Sequence, residues 1–186
     1  MNPPTNGHHP SRLNPLAVTV RAETPGDRVA IREVLQAAFG QPGEADLVDR
    51  IRQSGAFLPD LSLVADSGEG IVGHVLFSQV PVRVRMLYVQ ALALAPLGVR
   101  PDVQRRGVGA ALVEAGLDRA RRTRFPFVVV VGDPRYYTRF GFKPARPNLE
   151  ANFDFPFEAF QVAELRSGSL KGLQGRVEYP PLFGQV

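Results

Sequence analysis

A chain of 186 residues with 44% hydrophobic and 22% charged side chains has the make-up of one globular domain with a single core. With no cysteine and three histidines, it excludes disulfides, thiolate metal sites and a cysteine nucleophile; no metal is expected, since a histidine cage or triad would rest on His74 alone. The formal charge of +4 is carried almost wholly by arginine and reads mainly as a solvated surface, with the pair Arg105 and Arg106 standing apart.

Met1 to Pro15, which holds Pro3, Pro4, Pro10, His8 and His9, reads as a flexible N-terminal arm and leaves residues 16–186 as one domain. No segment has the layout of a signal peptide or about 18 consecutive apolar residues, so a cytoplasmic chain with no membrane partner is expected. Leu16 to Ala22 is short and valine-rich, a first strand. Thr24-Pro25-Gly26-Asp27 offers helix-start residues, after which Val29, Ile31, Val34, Leu35 and Ala38 recur at helical spacing. Gly40 to Gly43 ends that helix, and a second is expected over about Glu44 to Gln53 with Leu47, Val48 and Ile51 inward.

Leu58 to Asp66 and Ile71 to Val80 are strand-like, and Ser67-Gly68-Glu69-Gly70 between them signals a hairpin. Pro81 is expected to mark a corner, with Val82 to Gln90 continuing the strand or beginning another. His74, beside Gly73, reads as an ordinary strand residue. Ala91 to Val99 is almost wholly apolar, as a strand covered on both faces should be. Pro96 within it removes a ladder donor, which predicts a bulge or an unpaired edge.

A long helix is expected from about Arg106 to Arg124, its stripe formed by Val108, Leu112, Ala115 and Arg119 and widened by Ala111, Val113, Leu117 and Ala120. Phe127 to Val131 is a fully apolar strand, and a short helix through Tyr136 to Phe140 is closed by Gly141. Strand-like pieces recur near Phe142, Phe160 to Leu165 and Gly175 to Tyr179. Phe153 to Phe160 reads as buried core in preference to an acceptor pocket or a dimer face. The order predicts an α/β fold: a single-domain mixed, partly parallel twisted sheet flanked by helices.

The chemistry concentrates between Leu97 and Leu112. A helix N-terminus carries about half a positive charge and unpaired N–H groups, and acidic residues usually fill its first turn. Here Arg105, Arg106, Gly107 and Gly109 fill it, and the first acid is Glu114. Cations there cost roughly 0.3–1 kcal/mol each and helical glycines up to about 1 kcal/mol each. An anion seated on the helix start offsets both, since glycines let the backbone approach it and arginines supply counter-charge. The segment has no Lys-Ser/Thr after its glycines, so it is no P-loop, and it lacks the third glycine of the dinucleotide fingerprint.

The pattern Gln104-Arg105-Arg106-Gly107-Val108-Gly109-Ala110 after a buried strand resembles the pyrophosphate-binding motif of the GNAT superfamily of N-acetyltransferases. Tyr137-Thr138-Arg139-Phe140-Gly141-Phe142 repeats the family's Tyr-x-x-x-Gly-Phe spacing. Gly132 to Tyr137, Glu44 to Ser54, Ser62 to Ala65, Val72 to Val75 and Phe160 to Leu165 are similar to the YhbS-like branch, so the resemblance spans about Val18 to Leu182. It implies acetyl-coenzyme A as acyl donor and an amine as acceptor, with direct transfer in a ternary complex and no acyl-enzyme. It also implies backbone contacts to the donor from Leu97, Gly98 and Val99, and a diphosphate seat formed by Gln104, Arg105, Arg106, Gly107, Val108, Gly109 and Ala110. Tyr137 takes the position of the family's general acid; a phenol with a pKa of about 10 is protonated at neutral pH and can serve.

The strand glutamate that many relatives use as base has no counterpart between Ala91 and Val99. Asp133, Asp102 or a water relay could replace it, although Asp133 before Pro134 also fits a helix cap. The missing base keeps a second reading open, a non-catalytic module that senses an acyl-coenzyme A. A nucleic-acid partner is not expected, because Arg119 to Arg124 lack interleaved aromatics and any known docking motif. The acceptor amine, small molecule or protein, has no signature of its own, and a homodimer is compatible with the sequence.

Overall fold

The computed structural model describes residues 14–181 and 183. Strand β1 (Thr19–Ala22) leads through a 3-10 turn at Pro25–Asp27 into α1 (Arg28–Phe39). The turn is fixed by Asp27, whose carboxylate accepts from the Thr24 N–H and hydroxyl and from both terminal nitrogens of Arg21. Gly40, at φ +73°, caps α1 by donating its N–H to the Gln36 carbonyl. After α2 (Gly43–Arg52) the chain runs through β2 (Ser62–Asp66), β3 (Ile71–Val84) and β4 (Leu87–Val99). The long helix α3 (Val108–Ala120), β5 (Phe127–Val131) and the short α4 (Pro134–Tyr137) follow, and then β6 (Lys143–Pro144), β7 (Leu149–Ala151), β8 (Phe160–Glu164) and β9 (Gly175–Val177).

The strands form one mixed sheet in the order β1-β2-β3-β4-β5-β8-β6, with β9 against the far end of β3 and β7 against β9. Parallel pairing occurs at β4/β5 and β7/β9, and the other pairs are antiparallel. One face buries Ile31, Leu35, Leu47, Val48 and Ile51 of α1 and α2 against Ala91, Ala93 and Val129. The other buries Val108, Leu112, Val113 and Leu117 of α3 against Phe77, Leu92 and Val128. This is the expected mixed α/β domain, and no helix among the described residues is long and apolar enough to cross a membrane.

Three expectations need correction. Pro81 is no corner: β3 passes straight through it, pairing Pro81 with Gln90, and the side of the strand where Pro81 lacks a donor faces the end of β9, where its carbonyl still accepts from Glu178 N–H. The chain reverses instead at Arg85-Met86, with Arg85 at φ +54°, so Val82 to Gln90 is split between two strands. Helix α3 starts at Val108 and ends at Ala120, shorter at both ends than the arginine-bounded segment. Its buried stripe is Val108, Leu112, Val113, Gly116, Leu117 and Ala120, so Ala115 and Arg119 lie at its margin; Arg119 donates instead to the Asp60 carbonyl. Of the arm over residues 1–15, residues 1–13 with His8 and His9 lie outside the described residues, while Asn14 and Pro15 are exposed.

Candidate active site

Pro96 does what a missing donor in a buried strand should do. In the β3/β4 ladder Val75 faces Leu97 and Phe77 faces Leu94, so Ala95 and Pro96 together oppose Leu76 and β4 bulges there. On its other side β4 pairs with β5 only at Leu92↔Val128 and Ala93↔Val129. Beyond Ala93 the two strands part, while Val130 and Val131 continue pairing with β8 alone. A gap therefore opens in the middle of the sheet, with Leu94 to Val99 as one lip.

Beside that lip, on the α3 face, lies a cavity of about 500 Å³ lined by Leu97, Val99, Gln104, Arg105, Gly107, Gly109, Ala110, Tyr136 and Arg139. Its floor is the start of α3. The first intrahelical bond runs from Ala111 N–H to Gly107 C=O, so the helix supplies no acceptor for the N–H groups of Val108, Gly109 and Ala110. No acidic side chain stands in that first turn. The loop before it is held in shape by Gln104, whose side-chain amide donates to the Val99 carbonyl at 3.0 Å. Arg105 sits at φ +59°, a left-handed conformation that costs a non-glycine residue on the order of 1 kcal/mol. Gly107, at φ +87°, is the N-cap.

Of the residues singled out between Leu97 and Ala110, three stand away from this cavity. Gly98 turns toward α1, where an added Cβ would lie 2.7 Å from Leu35. Val108 is buried under the sheet, so only its backbone faces the helix start. Arg106 is tied to the N-terminal segment: its Nε donates to the Asn14 carbonyl and its own carbonyl accepts from Leu16 N–H. Beside Arg105, the second cation at the cavity is Arg139, which donates to the Tyr136 carbonyl and stacks over the Tyr136 ring at 4.9 Å.

Gly109 lines the cavity and also has a protein side chain close beside it. A Cβ there would meet the Tyr136 hydroxyl at 2.6 Å, so the glycine makes room for a protein side chain at the cavity wall. Tyr136 and Arg139 were not legible as lining residues, because a four-residue helix has too little periodicity to orient its side chains.

Tyr137 stands behind Tyr136. It is 8% exposed, and its ring packs edge-on against Phe142 and so close to Gly132 that a Cβ there would lie 2.4 Å away. Burial pushes the Tyr137 hydroxyl well above the ordinary phenol range, so it holds its proton. Burial raises Tyr136 too, against the opposing charge of Arg139.

The two aspartates weighed as bases are engaged elsewhere. Asp133 accepts from Arg135 N–H as the N-cap of α4 and pairs with the Arg135 guanidinium, which holds its carboxyl below the usual range. Asp102 is gripped in the same way by Arg100 at 2.6 and 2.8 Å and is lowered as well.

His74 is fully buried in a polar cluster that the sequence did not reveal. Arg52 of α2 forms a bidentate pair with Glu23 at 2.8 and 2.9 Å, and the Ser62 hydroxyl donates to the same carboxylate. Since the only hydroxyl hydrogen of Ser62 goes to Glu23, His74 Nε2, 3.0 Å from Ser62 Oγ, must be the protonated nitrogen. The cluster staples β2, β3 and α2 together, on residues too far apart in sequence to form a motif.

Comparison with known proteins gives a consistent picture. The acetyltransferase (GNAT) domain family matches residues 19–145. The uncharacterized N-acetyltransferase YhbS of Escherichia coli (strain K12) is 38% identical over 168 residues, 89% of this chain and 98% of its own. Among solved structures, E. coli YhbS in complex with CoA superposes with a TM-score of 0.82 at 35% identity, covering 95% of this chain and 96% of its own. A GNAT family acetyltransferase from Brucella melitensis in complex with acetyl-CoA gives a TM-score of 0.72 at 31% identity, covering 90% and 99%.

Proposed function

Because the chain belongs to the GNAT family of acetyltransferases, we propose that it binds acetyl-coenzyme A in the cavity at the start of α3 and passes the acetyl group directly to an amine. The observation that carries this reading is the coincidence of two features on one cavity: a helix N-terminus with no acid in its first turn, and the lip of a sheet gap at Leu97 and Val99. The diphosphate would rest on the N–H groups of Val108, Gly109 and Ala110, with Arg105 and Arg139 as counter-charge and Gln104 shaping the loop. The pantetheine arm would lie along Leu97, Gly98 and Val99, where β4 has no β5 partner, and an N–H of that lip would hold the thioester oxygen as charge builds on it. Residues 16–186 would form this acetyltransferase domain, with 1–15 as an arm.

In the transfer, the amine nitrogen attacks the carbonyl carbon and the C–S bond breaks. Tyr137 gives its proton to the departing thiolate and is reprotonated by the one the amine loses. The products are an amide and free coenzyme A. With Asp102 and Asp133 held by arginines, water is the more suitable carrier of the amine's proton.

The lack of any acid along β4 also fits an acyl-coenzyme A sensor that never turns over. Two measurements decide. Acetyl-coenzyme A at 100 times its Kd stabilises a chain of this size by about 2.7 kcal/mol, a thermal shift of roughly 5–10 °C. Thiol release in the presence of amines then separates enzyme from sensor. Absence of any shift would overturn both readings.

A further inference from the structure

On the opposite face of the sheet from the α3 cavity lies a second cavity of about 520 Å³. Its floor is Leu94, Ala95 and Val131, the residues where β4 and β5 part company, so it reaches the same gap from the α1/α2 side. Ala95 lines this cavity and Leu97, two residues along the same lip, lines the other.

The walls are chemically distinct. Phe153, Phe155 and Tyr179 form a continuous aromatic surface, with Phe153 5.4 Å from Phe155 and 5.0 Å from Tyr179 between ring centroids. Among the described residues the only charged ones of the lining are Glu44, in the first turn of α2, and Asp154. Among the described residues neither carboxylate belongs to an ion pair, and the Glu44 partner is the neutral side-chain amide of Gln41. The arginine nearest Asp154 along the chain, Arg146, stacks on Phe157 and lines an adjoining notch that shares Phe153, Asp154 and Phe155 with this cavity. Ring faces and unpaired carboxylates both attract a cation, and a cavity of several hundred Å³ suits a small molecule.

We infer that this cavity takes the acetyl acceptor, and that the acceptor is a small cationic amine on an aromatic or alkyl body. The body lies against Phe153, Phe155 and Tyr179, and the ammonium group is drawn in by Glu44 and Asp154. The inference rests on the acetyl-transfer reading above and adds the substrate class. The ammonium sheds one proton to water, the nitrogen joins the acetyl carbon as the C–S bond breaks, and the second proton ends on the thiol. Amide, free coenzyme A and one proton result.

The test uses the full chain with acetyl-coenzyme A and follows thiol release for phenethylamine, hexylamine, glucosamine, spermidine and a lysine-containing peptide with a free N-terminus. Phenethylamine and hexylamine should exceed the other three at least tenfold in kcat/KM. Calorimetry should show phenethylamine binding without turnover. Glu44→Gln and Phe155→Leu should each weaken that binding about tenfold, while the acetyl-coenzyme A Kd and the thermal midpoint stay close to wild type.

Equal or better use of glucosamine, spermidine or the peptide overturns the inference, and so does phenethylamine binding that neither substitution weakens. Acetyl-coenzyme A binding with no acceptance of either apolar amine also overturns the inference and leaves the donor site standing. Failure to bind acetyl-coenzyme A removes the transfer reading itself.

Discussion

Two adjacent tyrosines stand at different depths by the candidate site, one lining the cavity and one buried, and a single hydroxyl removed from each tests the roles proposed for them. Tyr136 faces the α3 cavity and touches the space above Gly109, whereas Tyr137 is buried against Gly132 and Phe142 with its phenol firmly protonated. With Tyr137 as the acid, Tyr137→Phe should lower kcat about 100-fold with little change in the KM for acetyl-coenzyme A. Tyr136→Phe should raise that KM and spare kcat. Identical behaviour of the two variants in steady-state kinetics would sink this division. At this scale the sequence was legible where backbone conformation dictates residue type. The capping Gly141 and the Asp133 cap follow from residue identity, whereas Gly107, expected within the helix, is instead its left-handed N-cap. Side-chain direction was not: Arg106 faces away to Asn14 and Gly98 toward α1, because a loop carries no period from which orientation can be read.

Among the elements, α3 has the most to lose from a small change. Gly116 lies on its buried stripe, and a Cβ there would come 2.2 Å from the Phe77 ring, itself fully buried in β3. Gly116→Ala gains up to about 1 kcal/mol of helix propensity but must displace an aromatic ring from a packed core, which costs roughly 1–3 kcal/mol. Urea unfolding should therefore show a net loss of stability. A gain would mean that Phe77 moves aside without strain. Most elements were legible from hydrophobic period, including α2 almost to the residue, and the bulge in β4 from the donor that Pro96 lacks. The turn at Arg85-Met86 was not, since it holds neither glycine nor asparagine and its flanks, Val84 and Leu87, continue the apolar run. Met86 at the tip is 94% exposed, so this hairpin is fixed by strand pairing and not by turn chemistry.

For the molecule as a whole, the buried Glu23–Arg52–Ser62–His74 cluster sets the response to acid. Burial lowers the His74 pKa, and the nearby Arg52 adds to this against the pull of Glu23. The unfolded chain therefore takes up a proton at about 6.5 that the folded ring refuses, and stability falls as pH drops below that value. Burial alone would raise Glu23, but hydrogen bonds from His74, Arg52 and Ser62 outweigh it and set the carboxyl at about 2. Its contribution is complete above about 4.5 and is lost as pH falls from there toward 2. Asp27, held low chiefly by Arg21, adds to the same acid loss.

Denaturant unfolding at pH 7.5, 5.5 and 3.5 should thus show two successive decreases, each group contributing at most ~1.4 kcal/mol per pH unit. Equal stability at 7.5 and 5.5 would remove His74 from this account. None of this network was legible beforehand, because its members lie on β2, β3, α2 and the loop after β1, and only the fold brings them together.

The parting of β4 from β5 leaves a break in the sheet with a cavity against it on each side. If donor and acceptor use separate cavities, neither blocks the other's path, and each product can retreat the way its parent came. Free coenzyme A should then compete with acetyl-coenzyme A alone, and against the amine it should depress the limiting rate. A bisubstrate inhibitor would have to be threaded through the protein, not laid along its surface.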